Sequence, residues 1–188
     1  MRIIAGDFKG KKLASFRGTA TRPTADRLRE SIFNIRASDI QNAVVLDLFA
    51  GTGALGLEAL SRGAASVVFI DSEIAAVKII EKNIASCRVT DRSRVIRWDI
   101  RRNLNCLSPA VPIFDLVFMD PPYNADLINP ALRHLIKQGV LKNNASIIVE
   151  HASTEPIGPG IAGFELTDQR IYGKTVVSFL RTMINEII

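Results

Sequence analysis

The chain has 188 residues, 47% of them hydrophobic and 23% charged, with 24 Lys and Arg against 19 Asp and Glu. That length suits one compact domain, and the proportions exclude disordered and fibrous classes. Cys87 and Cys106 are too few for a disulfide framework, no Cys/His cluster has zinc spacing, and no apolar run reaches membrane-span length.

The first 40 residues read as a basic arm and helix set before a domain over residues 41–188. The opening MRIIAGDFKGKK is broken by Gly, Asp and Lys too early for a secretion signal, so a cytoplasmic protein is expected. Residues 1–40 carry nine Lys/Arg against four acids, which accounts for the whole net charge of +5. A basic arm on a neutral body suits a polyanion gripped by the arm and processed by the body, although a merely solvated extension has the same charge. RIIAG and FKGKKLAS form a short hairpin in this reading. Arg22-Pro23-Thr24 then leads into DRLRESIFNIR, with Leu28, Ile32, Phe33 and Ile35 near one helical face. Thr24 is the expected N-cap, and Arg27 and Arg29 are expected on exposed faces.

From Val44 onward strands and helices alternate. VVLDLF, SVVFID, RVIRWD, FDLVFMD and ASIIVEH read as buried parallel strands. The expected helices are LGLEALSRG, EIAAVKIIEKNIASC and segments near 100–106 and 127–138. FELTDQRIY and TVVSFLRTM alternate about Gly173-Lys174, which predicts an antiparallel hairpin. The fold class is α/β: a parallel sheet with helices on both faces and an antiparallel pair at its end.

A glycine-rich turn, Asp47-Leu48-Phe49-Ala50-Gly51-Thr52-Gly53, joins the first strand to the first helix. Gly51 and Gly53 allow a sharp turn and close approach of backbone to a ligand. With Gly56 they spell GxGxxG, and Asp71 ends the second strand where it can accept from ribose hydroxyls, as any adenosine ligand requires, NAD(H) included. Asp47 aims into the turn, where it would repel a pyrophosphate but pair with an ammonium or sulfonium; S-adenosylmethionine (SAM) has both cations and no phosphate. Helix capping is the structural alternative for Asp47. Asp99 ends the third strand and is placed to accept from an adenine amino group, with Ile100 against the ring.

The fourth strand ends in Asp120-Pro121-Pro122-Tyr123, on the same edge of the sheet as Gly51. Two prolines stiffen the loop and remove two N–H donors. An exocyclic base amine is a poor nucleophile because its lone pair is delocalised. Asp120 and the Pro121 carbonyl can accept its two N–H bonds, and the carboxylate stabilises positive charge as it develops on nitrogen. Tyr123 can stack on the base. Neither cysteine has the proline neighbour that cytosine C5 methylation needs. His134 and His151 read as structural, with His151 near the crevice rim.

These segments together resemble the RsmD-like family of bacterial 16S rRNA (guanine-N2)-methyltransferases. The similarity runs through RIIAGDFKGKKL, RPTADRLRESIFN, LDLFAGTGALGLEALSRGA, VVFIDSE, DPPY and the closing YGKT. The resemblance implies a class I SAM-dependent methyltransferase fold, Rossmann-like, with a mostly parallel seven-stranded sheet and an antiparallel C-terminal strand. It implies SAM as methyl donor, no metal, and a guanine-966-type site in the 16S rRNA of the small subunit or an assembly intermediate. Asp47, Phe49, Ala50, Gly51 and Gly53 would surround SAM, with Asp71 and Ser72 at its ribose and Asp99 and Ile100 at adenine. Asp120, Pro121, Pro122 and Tyr123 would form the catalytic loop. The charge of the basic arm points to Lys9, Lys11, Lys12 and Arg17 as the residues that hold RNA, while the resemblance implies that Arg22, Thr24 and Arg27 close the site or hold RNA phosphate. Some members carry Phe in place of Tyr123, so the resemblance gives its hydroxyl no role. A monomer without membrane attachment is expected. Adenine N6, cytosine N4 or a glutamine amide are alternative acceptors; a NAD-dependent dehydrogenase and a non-catalytic RNA-binding domain are alternatives of other classes.

Overall fold

The computed structural model describes residues 1–16, 23–107, 113–157 and 163–183. The first five strands are β1 (Val44–Leu48), β2 (Ser66–Asp71), β3 (Ser93–Arg97), β4 (Phe114–Met119) and β5 (Leu141–Ala152). The helices are α1 (Pro23–Ile35), α2 (Ala54–Ser61), α3 (Ile74–Cys87) and α4 (Ile128–Gln138), and β6 (Phe164–Tyr172) and β7 (Thr175–Thr182) complete the sheet. The strand order is β3-β2-β1-β4-β5-β7-β6. Strands β1 to β5 pair in parallel, while β7 is antiparallel to both β5 and β6.

Side chains alternate across the sheet, so each central strand feeds two cores. Val45, Val67, Phe69, Leu116 and Phe118 face α1, α2 and α3, where they meet Ile32, Phe33, Leu57, Leu60 and Ile80. Leu46, Leu48, Val68, Ile70, Val117 and Met119 face the other way, onto Ala131, Leu132 and Leu135 of α4. Burial on both faces explains the continuous apolar runs.

Three expectations need correction. The segment expected as a helix near 100–106 is a series of turns. Asp99 Oδ1 accepts the Arg101 N–H at 3.1 Å and Asn103 Oδ1 accepts the Asn105 N–H at 2.9 Å, so short polar side chains take backbone donors that a helix would use. Ile100, Leu104 and Leu107 are nevertheless buried against the α4 core. The C-terminal hairpin forms, but only β6 has a largely exposed pattern; β7 is inserted between β5 and β6 and is buried from Val176 through Leu180. Helix α1 starts at Pro23, a favoured first helical position, so Thr24 lies within its first turn instead of capping it.

The N-terminal hairpin is closed by one antiparallel bridge, Arg2 with Lys12. It is strapped across α2 and α3. Glu58 Oε2 and Oε1 accept the N–H groups of Ile4 and Ala5 at 2.7 and 3.0 Å, and Ser61 Oγ accepts that of Phe8 at 2.9 Å. Asn83 accepts from Ala14 N–H at 2.7 Å and donates to the Ala14 carbonyl at 3.0 Å. Gly6 passes so close that a Cβ would lie 1.8 Å from the Ser61 carbonyl oxygen, and its φ of 77° is in the left-handed region. Gly6→Ala should therefore cost about 2 kcal/mol or more, seen by calorimetry as a melting temperature lower by roughly 4–8 °C.

Candidate active site

The sheet places the two expected motifs side by side. Register pairs Leu48 of β1 with Met119 of β4, so Phe49 and Asp120 leave adjacent parallel strands at their carboxyl ends. The strand order reverses between β1 and β4, the position where open α/β sheets bind ligands.

The turn after β1 is wound tightly. Phe49, Gly51 and Gly53 have φ of 58°, 57° and 75°, so a non-glycine residue is held in the left-handed region at the site. Gly56 is equally constrained, since a Cβ there would meet the Phe69 ring at 2.4 Å. Asp71 Oδ2 accepts the Gly51 N–H at 2.8 Å and Oδ1 accepts the Glu73 N–H at 2.9 Å, pinning the turn to the start of α3. Each oxygen retains a lone pair for a ribose hydroxyl.

Two chambers open from this junction. The larger, about 900 Å³, is lined by Phe16, Phe49, Gly51, Asp71, Ser72, Trp98, Asp99, Ile100 and the Asp120–Tyr123 loop, among others. The smaller, about 440 Å³, is lined by Asp47, Ala50, Thr52, Arg29, Glu150 and Thr175 among others. Phe16, Phe49, Gly51 and Asp120 belong to both. Every expected cofactor residue except Gly53 therefore lies on a chamber wall. Gly53 sits beneath the turn, against Phe69 and Ile80.

Asp47 is buried, and its Oδ2 accepts the Gly56 N–H at 2.9 Å in the first turn of α2. The capping alternative is thus realised at one oxygen. Burial, with a smaller contribution from Asp71, pushes its carboxyl up to about 8 against the help of that hydrogen bond. Asp120 is exposed toward the cleft, and among the described residues none donates a hydrogen bond to it. The surrounding protein, then Glu150 and Asp47, raises its carboxyl well above the usual range. Burial also raises Glu150. Three carboxyls around one small chamber are a binding preference for a cation.

Tyr123 donates to Glu150 Oε1 at 2.8 Å and lies 3.1 Å from Thr175 Oγ1, so its hydroxyl fixes the ring. Below the loop, Glu155 accepts the N–H groups of Asn124 and Asp126 at 2.8 and 2.9 Å. Asp99 differs from expectation in its partner. Arg101 binds it through Nε and Nη2 at 2.8 and 3.0 Å, holding its carboxyl below the ordinary value while both residues remain on the chamber wall.

The basic arm is less free than its charge suggests. Lys9, Lys11, Lys12 and Arg27 are exposed, and Lys9 and Arg27 share a shallow groove with Arg2. Arg17 and Arg22 lie outside the described residues, as does the Thr24 side chain. Arg29, expected on an exposed face, is buried, with Nη2 donating to the Arg2 carbonyl at 2.6 Å and to Asp26 at 3.0 Å. His151 is buried and hydrogen-bonded to Ser178, away from any contact role at the rim. Sequence reasoning missed Phe16, Glu150 and Thr175, which reach the site from the arm, β5 and β7. It also missed Arg101, which lines the larger chamber beside Asp99. Among the described residues no group of His, Cys, Asp and Glu could hold a metal ion, and no helix is long and apolar enough to cross a membrane.

A family model described as Conserved hypothetical protein 95 matches residues 1–181. The chain belongs to that family. This is the RsmD-like family whose motifs the sequence carries. YlbH of Bacillus subtilis is 33% identical over 181 residues, 96% of this chain and 98% of its own. Ribosomal RNA small subunit methyltransferase D of Escherichia coli is 34% identical over 174 residues, 93% of this chain and 86% of its own. The solved structure of yhhF from Escherichia coli superposes with a TM-score of 0.85 at 34% identity, covering 97% of each chain. The RsmD-like fold is the class I methyltransferase fold: a seven-stranded, mostly parallel sheet with helices on both faces.

Proposed function

We propose that the chain is a SAM-dependent rRNA methyltransferase that modifies the exocyclic N2 of a guanine in 16S rRNA of the small subunit, at a guanine-966-type site, in the cytoplasm. The observation that carries this reading is the convergence of Asp120-Pro121-Pro122-Tyr123 with buried Asp47 at one cleft with acidic walls. Relatives named ribosomal RNA small subunit methyltransferase D, about one-third identical over most of the chain, support an rRNA substrate. A dinucleotide reading fares worse, because a pyrophosphate would enter beside Asp47, Asp120 and Glu150.

When bound, SAM supplies an electrophilic methyl on a sulfonium. The residues that suit it are Asp47 for a cationic group, Asp71 for the ribose, and Phe49 and Ile100 for the apolar ring faces. Asp120 accepts an N–H of the base amine, localising its lone pair, and opposes the positive charge that grows on nitrogen during transfer. The proton released afterwards has an acceptor in Asp120, whose raised carboxyl suits that role. Tyr123 offers a stacking face held square by Glu150 and Thr175.

The test is transfer of labelled methyl from SAM to unmodified small subunits, free rRNA and DNA, followed by mass analysis of the nucleosides. N2-methylguanosine from rRNA is the expected product; methylated adenine or cytosine, or no transfer, overturns the reading. Replacing Lys9, Lys11 and Lys12 together by Ala should weaken RNA binding and reduce the slope of log affinity against log salt by roughly 2. An unchanged slope in a filter-binding salt series removes the arm from the RNA interface.

A further inference from the structure

The smaller chamber has both acidic groups and a cation on its walls. Arg29 lines it together with Asp47, Asp120 and Glu150, and the residue is only 6% exposed. Its hydrogen bonding is incomplete. Nη2 serves the Arg2 carbonyl and Asp26, but Nε is buried without a partner, and Nη1 makes no hydrogen bond among the described residues. Glu58 is the nearest buried carboxylate, with Oε2 at 3.9 Å from Nε. It is already engaged by Ile4 N–H, Ala5 N–H and the Arg62 guanidinium at 2.8 Å.

Nε is closed off beside Glu58, which leaves Nη1 as the uncommitted donor of a buried guanidinium at a cavity wall, a place that suits an anionic acceptor. An α-amino acid end carries one ammonium and one carboxylate a few ångströms apart, and the chamber offers one group for each. We propose that Arg29 binds the α-carboxylate of the amino-acid arm of SAM, with Asp47 facing the ammonium. The assignment rests on the SAM reading above and adds to it a specificity residue from α1, outside the glycine-rich turn and the DPPY loop.

The experiment is calorimetric binding, without turnover, of three adenosine ligands: S-adenosylhomocysteine, its decarboxylated analogue, and 5′-methylthioadenosine. The wild-type protein should bind S-adenosylhomocysteine about 10- to 100-fold more tightly than the decarboxylated analogue. In Arg29→Met that ratio should collapse to within about threefold, with 5′-methylthioadenosine affinity unchanged. Equal weakening of all three ligands in Arg29→Met makes the residue structural and overturns the proposal. So does a wild-type protein indifferent to the carboxylate, an arm of the test that needs no variant. Unchanged affinities in Arg29→Met, as expected if the arginine serves an RNA phosphate, overturn it too. A wild-type protein that binds none of the three defeats the SAM reading itself, a result distinct from the others.

Discussion

Asp47→Asn should make the unliganded protein more stable at pH 8 and abolish its binding of SAM. The carboxyl is buried at the end of β1, and its folded value of about 8 lies far above that of an unfolded aspartate. A carboxyl raised on folding contributes stability that is fully present below the unfolded value near 4. That contribution is lost progressively as pH climbs through about 8. At neutral pH the cost of keeping this group inside is of order 4 kcal/mol. Asparagine retains an oxygen for the Gly56 N–H but has no charge to bury. Thermal melts between pH 5 and 9 should show the wild-type midpoint falling and the variant's staying flatter. The ligand side follows from the same linkage. A cation placed beside Asp47 favours the ionised form, so SAM binding at pH 7 should release close to one proton, measured by calorimetry in buffers of different ionisation enthalpy. A variant no more stable than wild type at pH 8, or one that still binds SAM, would refute this view of the site.

The second large effect belongs to Asp120. Asp120→Ala should lower the turnover number by roughly 10²- to 10³-fold, the range found when one electrostatic partner of a transition state is removed. Affinity for S-adenosylhomocysteine should hold or improve slightly, because a like charge near Asp47 has gone. The pH profile gives an independent check. A raised carboxyl must ionise before it can accept from the amine, so wild-type turnover should rise toward alkaline pH. In Asp120→Asn that rise should flatten. Wild-type-like turnover in Asp120→Ala would leave DPPY as a rigid loop only.

Much of this was legible in the chain because the physics was local. Continuous apolar runs such as VVLDLF predict strands buried twice, and the two cores confirm the reason. The Gly51 turn and DPPY could be placed on one edge because parallel strands bring their carboxyl ends together. What escaped was set by tertiary packing. Nothing in the periodicity of DRLRESIFNIR distinguishes Arg29 from Arg27, yet one is buried by Glu58, Asp26 and the Arg2 carbonyl and the other stays in water. The turns at 99–107 depend on Asp99 and Asn103 capturing backbone donors, a choice that pattern alone leaves undecided. Phe16 reaches both chambers only because the arm is carried across α2 and α3.

That strap has a consequence for biosynthesis. The side chains that seat Ile4, Ala5, Phe8 and Ala14 lie 53 to 69 positions further along the chain. Because the chain is made from its N-terminal side, that segment must wait several seconds, at ordinary elongation rates, for the residues that anchor it. Asn83, which also donates to the Thr52 carbonyl at 2.9 Å, ties that late arrival to the ligand turn. The pocket is complete only when this early-made segment meets Glu150 and Thr175, which are translated long after it.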